Sequence, residues 1–464
     1  MRRPSTSPVD RQILDALSRH SLSARELQRL VGGVSQPTVS RAISRLGGRV
    51  RKFGAARATR YAATRDVRQW GSDWPLYRID TTGAAIELGR LSALNGGEYL
   101  LEPRGQRLAS LFRGEFTDGL FPDLPWPLMD VRPQGFLGRA FARRHGAALG
   151  LDENPERWSG DQALSALLRH GEDMPGDLVL GEFAMRSILQ ARLSSDGTVI
   201  PAHERVTHYA QLAERAMQDD FTGSSAGGEQ PKFTARIREA NGSIRSVLVK
   251  FTEASNTTSK RRWVDLLVCE HLALEVLRAA GLPAATSELV IAGERLALEV
   301  TRFDRVGEHG RRGCVSLAAV DDAWFGKRDR WTEAAARLES AQLLAPEDAR
   351  RLQLEWWFGA LIANSDMHFG NTSLFFGDEL PFALAPVYDM LPMLYRPGAN
   401  GELIAREFTA PVPTPEHLAT WRIAATLATR FWTAAAEDRR ISPPFREIAS
   451  SNRDAVLRAR AVIG

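Results

Sequence analysis

The chain has little cysteine: in 464 residues only Cys269 and Cys314 carry a thiol, far apart and at no metal-ligand spacing, which argues against a zinc site. So few thiols fit a reducing cytoplasm, the expected location. The nine histidines do not pair at helical metal spacing. No run of about 18 apolar residues is present, so no segment is expected to cross a membrane. The start, MRRPSTSPVD, is basic but no apolar run follows it, so a secretory signal is not expected. What is present is length, more than one core accommodates, which suggests two or three domains. Charge is present too, unevenly spread. The net charge is +4, yet residues 1–68 hold 15 Lys/Arg against four Asp/Glu, leaving the remainder at −7. A basic front on an acidic body suggests that the front meets a polyanion.

The front predicts a small DNA reader. Over residues 8–30, Ile13, Leu14 and Leu17 make one helical stripe, and Leu22, Leu27 and Leu30 begin another. Ser23 stands three residues before Glu26, a capping-box spacing. Gly32 and Gly33 break the chain, Ser35 can cap a new helix and Pro37 fits its first turn. On that helix Val39, Ile43 and Leu46 point inward. Gln36, Thr38, Ser40, Arg41, Ser44 and Arg45 stay outside, and such groups bond base edges and phosphates. The run RVRKFGAARATRYAA predicts two basic strands around a turn, adding Arg51, Lys52 and Arg57 to the DNA-facing set. The order is that of a winged helix-turn-helix. The plain alternative is a solvated helical bundle. Residues 66–75 predict a polar linker. From 76 to 200, PLYRID and AAIELGRL suggest strands, FPDLPWPLMDVRPQGFLGR suggests loop, and no chemistry stands out.

The sequence becomes specific at FTGSSAGGEQPKF. Small residues in a row let backbone N–H groups approach an anion closely. The Walker pattern is absent. FTARIR and IRSVLVKF predict two strands about an Asn241-Gly242 turn. Lys250, at the end of a nearly continuous apolar strand, needs a partner. The next helix carries Glu270 within its apolar stripe, where a carboxylate is costly unless paired. In protein kinases a strand lysine paired with a helix glutamate holds the nucleotide phosphates; the plain alternative is a structural ion pair. LALEVTRFDR suggests either a strand that leaves this lobe as the adenine hinge or an ordinary edge strand with Arg302 and Arg305 toward solvent.

A strong helix over 347–363 runs into ALIANSDMHFGNTSLFF. Asp366 and Asn371 are separated by four residues, the spacing of the kinase catalytic loop, in which Asp orients the attacking hydroxyl and Asn binds Mg²⁺. Two short strands, TSLFF and FALAP, precede Asp389, where kinases place a second metal ligand. His368 either touches phosphate or braces the loop. The plain reading of this cluster is loop polar residues making turn bonds.

SSAGGEQPKF, VLVKF, the helix with Glu270, ALEVTRFDR, LIANSDMHFGN and PVYDM, in that order, resemble the HipA family of bacterial serine/threonine kinase toxins over about residues 76–450. The chain is similar to the YjjJ-like subgroup with a fused helix-turn-helix. The resemblance implies an α+β fold: a two-lobed, protein-kinase-like (HipA-like) body behind an N-terminal winged helix-turn-helix. The expected domains are 1–68, the DNA-binding front; 76–300, a small lobe with a β-rich accessory part; and 301–464, a mostly helical large lobe. Asp366 is then catalytic, Asn371 and Asp389 hold Mg²⁺, and Ser225, Ala226, Gly227, Gly228, Glu229, Lys250, Glu270, Thr301, Phe303 and His368 surround ATP. Ser224 aligns with a loop serine that such kinases phosphorylate on themselves. The loop reads AGGEQPK where family members commonly have AGAQEK. Expected partners are DNA and a protein bearing the acceptor Ser/Thr, with room for a HipB-like antitoxin and a homodimer. The competing reading is a DNA-binding transcriptional regulator with a nucleotide-sensing, catalytically silent body.

Overall fold

The computed structural model describes residues 7–55, 58–104, 116, 118–194, 199–218, 230–254, 256–398 and 400–463. Arg57 and the loop residues Ser224, Ser225, Ala226, Gly227, Gly228 and Glu229 lie outside these residues. At the front, two serines start helices by reciprocal bonding. Ser7 pairs with Asp10 and Ser23 with Glu26, side chain to backbone in both directions, opening Pro8–Ala16 and Ala24–Leu30. Pro37 sits in the first turn of Gln36–Leu46. Ile13, Leu17, Leu22, Leu27, Val39 and Leu46 bury together with Val50 and Ala63. Leu30, expected on the apolar stripe, is 63% exposed; Val31, four residues after Leu27, takes the buried place. Ile43, expected inside, is half-buried at the edge of this core. Val50–Phe53 and Arg60–Ala63 pair antiparallel, and Arg60–Ala63 also pairs with Leu22–Ser23.

The expected linker at 66–75 is packed instead. Val67 and Trp74 are buried, Trp74 Nε1 donates to the Trp70 carbonyl at 2.8 Å, and Asp73 already opens a strand. That strand, Asp73–Ile79, lies in an antiparallel sheet ordered Leu120–Phe121, Tyr99–Pro103, Ala85–Ala93, Asp73–Ile79, Leu178–Leu180. The Pro/Gly-rich segment expected to be loop contains the helix Trp126–Asp130 and the start of Gly135–Leu149. Gly138 serves packing there: a Cβ would come within 2.8 Å of the Pro133 backbone. Helices Gly160–His170 and Glu182–Leu193 complete this middle unit.

A second five-stranded sheet follows, ordered Ser287–Ala292, Arg295–Thr301, Ile244–Phe251, Lys232–Arg238, Val199–Pro201. Tyr209 and Ala213 of helix Arg205–Gln218 cover one face through Phe233, Val249 and Phe251. Helix Thr258–Ala279 packs against the strands Ser287–Ala292 and Arg295–Thr301. The carboxy-terminal lobe is built on Pro346–Leu361, Leu418–Glu437 and Pro443–Ile463, with Trp432 Nε1 donating to the Leu361 carbonyl at 3.0 Å. The two short strands expected after Asn371 form as Ser373–Phe375 and Ala383–Leu384, and Cys314–Ser316 joins them as a third. Buried side chains of the middle sheet belong to one continuous core with this lobe's helices.

Candidate active site

The site forms where the second sheet meets the carboxy-terminal lobe. Lys250 lies on strand Ile244–Phe251 and is 5% exposed; Glu270, on helix Thr258–Ala279, has no solvent exposure. The ammonium donates to both Glu270 carboxylate oxygens, at 2.7 and 2.8 Å, and to Asp389 Oδ1. Neither partner lies near Lys250 in sequence, so the contact depends on strand, helix and distant loop being in place together. The hairpin register sets Lys232 directly opposite Lys250, on the same face of the sheet.

Burial works against the Lys250 ammonium, but Asp389 and Glu270 outweigh it and hold its pKa above the ordinary lysine value. The Asp389 carboxyl is penalised by burial, yet Lys250 and Lys232 bring it below the usual range. Glu270, the deepest of the three, is pushed up by burial and by Asp389 in spite of Lys250.

Helix Pro346–Leu361 delivers the second part. Beyond it Ala363 turns with φ at 60°, and Asn364 follows, 6% exposed. Asn364 Oδ1 accepts from the Asp366 N–H at 3.0 Å, and its Nδ2 donates to the Asp389 carbonyl at 3.4 Å. One buried amide therefore holds both acidic residues by their backbones. Asn371 Nδ2 donates to the Asp366 carbonyl at 2.7 Å, which leaves Oδ1 as the end suited to a cation. Asp389 sits at φ 52°, uncommon for a residue with a side chain and here imposed by its surroundings. His368 is exposed; its Nδ1 accepts from the Gly370 N–H at 3.1 Å, which braces the loop.

Where strand Arg295–Thr301 ends, the Thr301 N–H donates to the Thr286 carbonyl at 2.8 Å and the Arg302 N–H to the Ser246 carbonyl at 2.9 Å. Phe303 lies 5.7 Å from the Tyr388 ring, whose hydroxyl bonds Ser373 at 2.7 Å and the Gly370 carbonyl at 3.1 Å. A cavity of about 600 Å³ is lined by Thr301, Phe303 and Phe375. A smaller one, about 330 Å³, has Asp366, Met367, His368 and Trp356 in its wall. The larger cavity is not walled by Lys250, Asp389 or Asp366. Arg302 and Arg305, placed at solvent by the plain edge-strand reading, are mostly buried among carboxylates.

The expected residues Lys250, Glu270, Asp366, Asn371 and Asp389 are thus joined by direct bonds or through Asn364. Lys232, Asn364 and Tyr388 are additions. Lys232 was findable once the Asn241-Gly242 turn fixed the register, and Tyr388 from its place beside Asp389. Nothing in the local sequence singles out Asn364. In the front unit, Gln36, Ser40, Arg41 and Ser44 are exposed, Thr38 is half-buried, and Lys52 is exposed. Arg45 pairs with Asp10 at 2.7 Å. Arg51 turns into the middle unit, bonding Asp73 and, at 3.0 Å, Ser92.

Residues 70–189 match a family model described as the YjjJ-like toxin, middle domain, and residues 224–456 match the HipA-like C-terminal domain. Toxin YjjJ of Escherichia coli (strain K12) is 39% identical over 440 residues, covering 94% of this chain and 95% of the relative. The chain belongs to the YjjJ-like toxins of the HipA family. Among solved structures, this YjjJ-like chain is similar to one in the Shewanella oneidensis MR-1 complex of HipA, HipB and operator DNA, with 16% identity, a TM-score of 0.49, and coverage of 83% of this chain and 96% of that one. It is also similar to the Helicobacter pylori proinflammatory kinase CtkA, with 13% identity, a TM-score of 0.33, and coverage of 49% and 94%. Both likenesses are distant, and membership of the YjjJ-like family rests on the sequence matches.

Proposed function

We propose that this YjjJ-like toxin is an ATP-dependent serine/threonine protein kinase. The observation that carries the reading is the linked set: Lys250 held between Glu270 and Asp389, with Asn364 bonding the backbones of both Asp389 and Asp366. In the proposed reaction Asp366 accepts the proton of a Ser/Thr hydroxyl. The hydroxyl oxygen bonds the γ-phosphorus, and the bond to ADP breaks. Lys250 shifts from Asp389 to the phosphates while Glu270 keeps it oriented. The Phe303 and Tyr388 rings offer an apolar seat for adenine, and the loop with Ser225, Ala226, Gly227, Gly228 and Glu229 is proposed to cover the phosphates, with His368 at its rim.

The donor set fits Mg²⁺. Asp389 supplies a carboxylate and Asn371 an amide oxygen whose nitrogen is already committed. Among the described residues no three His, Cys, Asp or Glu gather as a metal cage, so the remaining ligands would be phosphate and water. When bound, the ion would neutralise charge on the phosphates.

The front unit is proposed to be a winged helix-turn-helix that binds DNA through Gln36, Thr38, Ser40, Arg41 and Ser44, with Lys52 beside them, and to regulate transcription. A HipB-like antitoxin, a homodimer, Ser224 autophosphorylation and a cytoplasmic location complete the proposal. Among the described residues no helix is long and apolar enough to cross a membrane. Incubating the protein with γ-labelled ATP and bacterial lysate tests the kinase reading: transfer by wild type and none by Asp366→Asn supports it. Tight nucleotide binding without transfer favours the silent regulator.

A further inference from the structure

The chain leaves strand Arg295–Thr301 through Arg302, Phe303, Asp304 and Arg305. These residues form one ion network with the middle unit. Asp304 receives Arg302 Nε at 3.0 Å and Nη2 at 2.8 Å, Arg305 Nη1 at 2.6 Å, and the Gly176 N–H at 2.9 Å. Asp173, 129 positions before Arg302 in the sequence, receives Arg302 Nη1 at 2.9 Å and Arg305 Nη2 at 3.1 Å. Its other oxygen accepts from Thr234 Oγ1, on the strand paired with that of Lys250, at 3.2 Å. Arg305 also donates to the carbonyls of Met174 at 2.7 Å and Gly176 at 3.0 Å.

Two guanidiniums side by side repel unless carboxylates lie between them. Asp304 alone leaves the pair with a net positive charge, and Arg311 adds a third cation bonded to the Glu172 carbonyl. Asp173 supplies the second carboxylate. Of the charged groups Asp173, Arg302, Asp304 and Arg305, it alone is mostly exposed, at 55% of its side chain against 12% for Arg302 and 8% each for Arg305 and Asp304. Asp173 is therefore the member best removed: its loss frees the Arg302 guanidinium from the middle unit, while the Met174 and Gly176 carbonyls keep hold of Arg305.

We infer that Asp173 is a positioning residue for the nucleotide hinge, through which the middle unit sets the angle at which residues 301–305 meet the adenine. The inference rests on the kinase reading above. It also carries a sign that distinguishes it from bulk electrostatics. Deleting a negative charge beside a site for polyanionic ATP would tighten binding if charge alone mattered. Loss of hinge geometry weakens it.

The test is calorimetric titration of ATP·Mg²⁺ into full-length wild type, Asp173→Ala, Asp173→Asn and Asp173→Glu, with melting temperature recorded for each. The expected result is that Asp173→Ala and Asp173→Asn bind about fivefold to tenfold more weakly, that Asp173→Glu restores most of the affinity, and that melting temperatures of Asp173→Ala and Asp173→Asn fall together by a few degrees. In turnover, KM for ATP should rise with kcat little changed. Asp173→Asn binding ATP as tightly as wild type, or more tightly, overturns the inference and leaves the kinase reading standing. A wild type that binds no ATP overturns both.

Discussion

Replacing Lys250 with Met should make the stability of this protein depend on pH in a direction opposite to ordinary acid denaturation. Met keeps the volume of the lysine stem and removes the ammonium, leaving the fully buried Glu270 beside Asp389. Burial and the second carboxylate already raise the Glu270 pKa with Lys250 present, so without it the folded value moves further up. A carboxyl with a raised folded pKa binds more protons folded than unfolded. Its folded form is supported at low pH, and the support is lost as pH climbs from the unfolded value near 4.3 through the folded one. Between the wild-type folded value and the variant's higher one the variant should lose about 1.4 kcal/mol per pH unit relative to wild type, or about 3 kcal/mol over two units, comparable to breaking a buried ion pair. Lys232, facing the same carboxylates, offsets part of this. Thermal melts of both proteins from pH 5.5 to 8 supply the readout: the gap between the two melting temperatures should widen by about 3–6 °C across that range. A separation that is constant across the range would refute the argument that Lys250 holds down the pKa of the buried Glu270.

Other outcomes follow from the same contacts. Asn364→Ala should lower kcat by about tenfold to a hundredfold through misplacement of Asp366, and stability by about 1–3 kcal/mol, checked by steady-state assay and melting. Arg41→Ala should reduce the slope of log DNA affinity against log salt by about one, whereas Arg51→Ala should leave that slope unchanged because Arg51 serves Asp73. Chelation of divalent cations should abolish phosphate transfer while leaving DNA binding by the front unit intact, which a gel-shift assay beside the transfer assay would show.

Much of the body was legible because its signals are local. The alternation in IRSVLVKF, the Asn241-Gly242 turn and the stripe around Glu270 each specify their own element, and each formed as expected. What was missed depended on residues far apart. Arg302 and Arg305 looked suited to solvent because their carboxylate Asp173 arrives from the middle unit. The segment around Pro133 suggested a loop because proline and glycine usually mark one, yet Gly138 is there for close contact with Pro133 inside a helical region. Residues 66–75 looked like a linker because they are polar on average, while Val67, Trp74 and Pro75 anchor the segment in the core. Arg51 counted toward a basic DNA face until Asp73 and Ser92 claimed it.

The central claim is that Asp366, Asn371 and Asp389 with Lys250 and Glu270 perform phosphoryl transfer. The most direct measurement is transfer of label from γ-labelled ATP to protein Ser/Thr by purified wild type and Asp366→Asn, with ATP affinity measured on both. The account predicts equal nucleotide binding and a loss of transfer of about a hundredfold or more in the variant. Equal transfer by the two proteins, or ATP binding with no transfer by wild type, would contradict it.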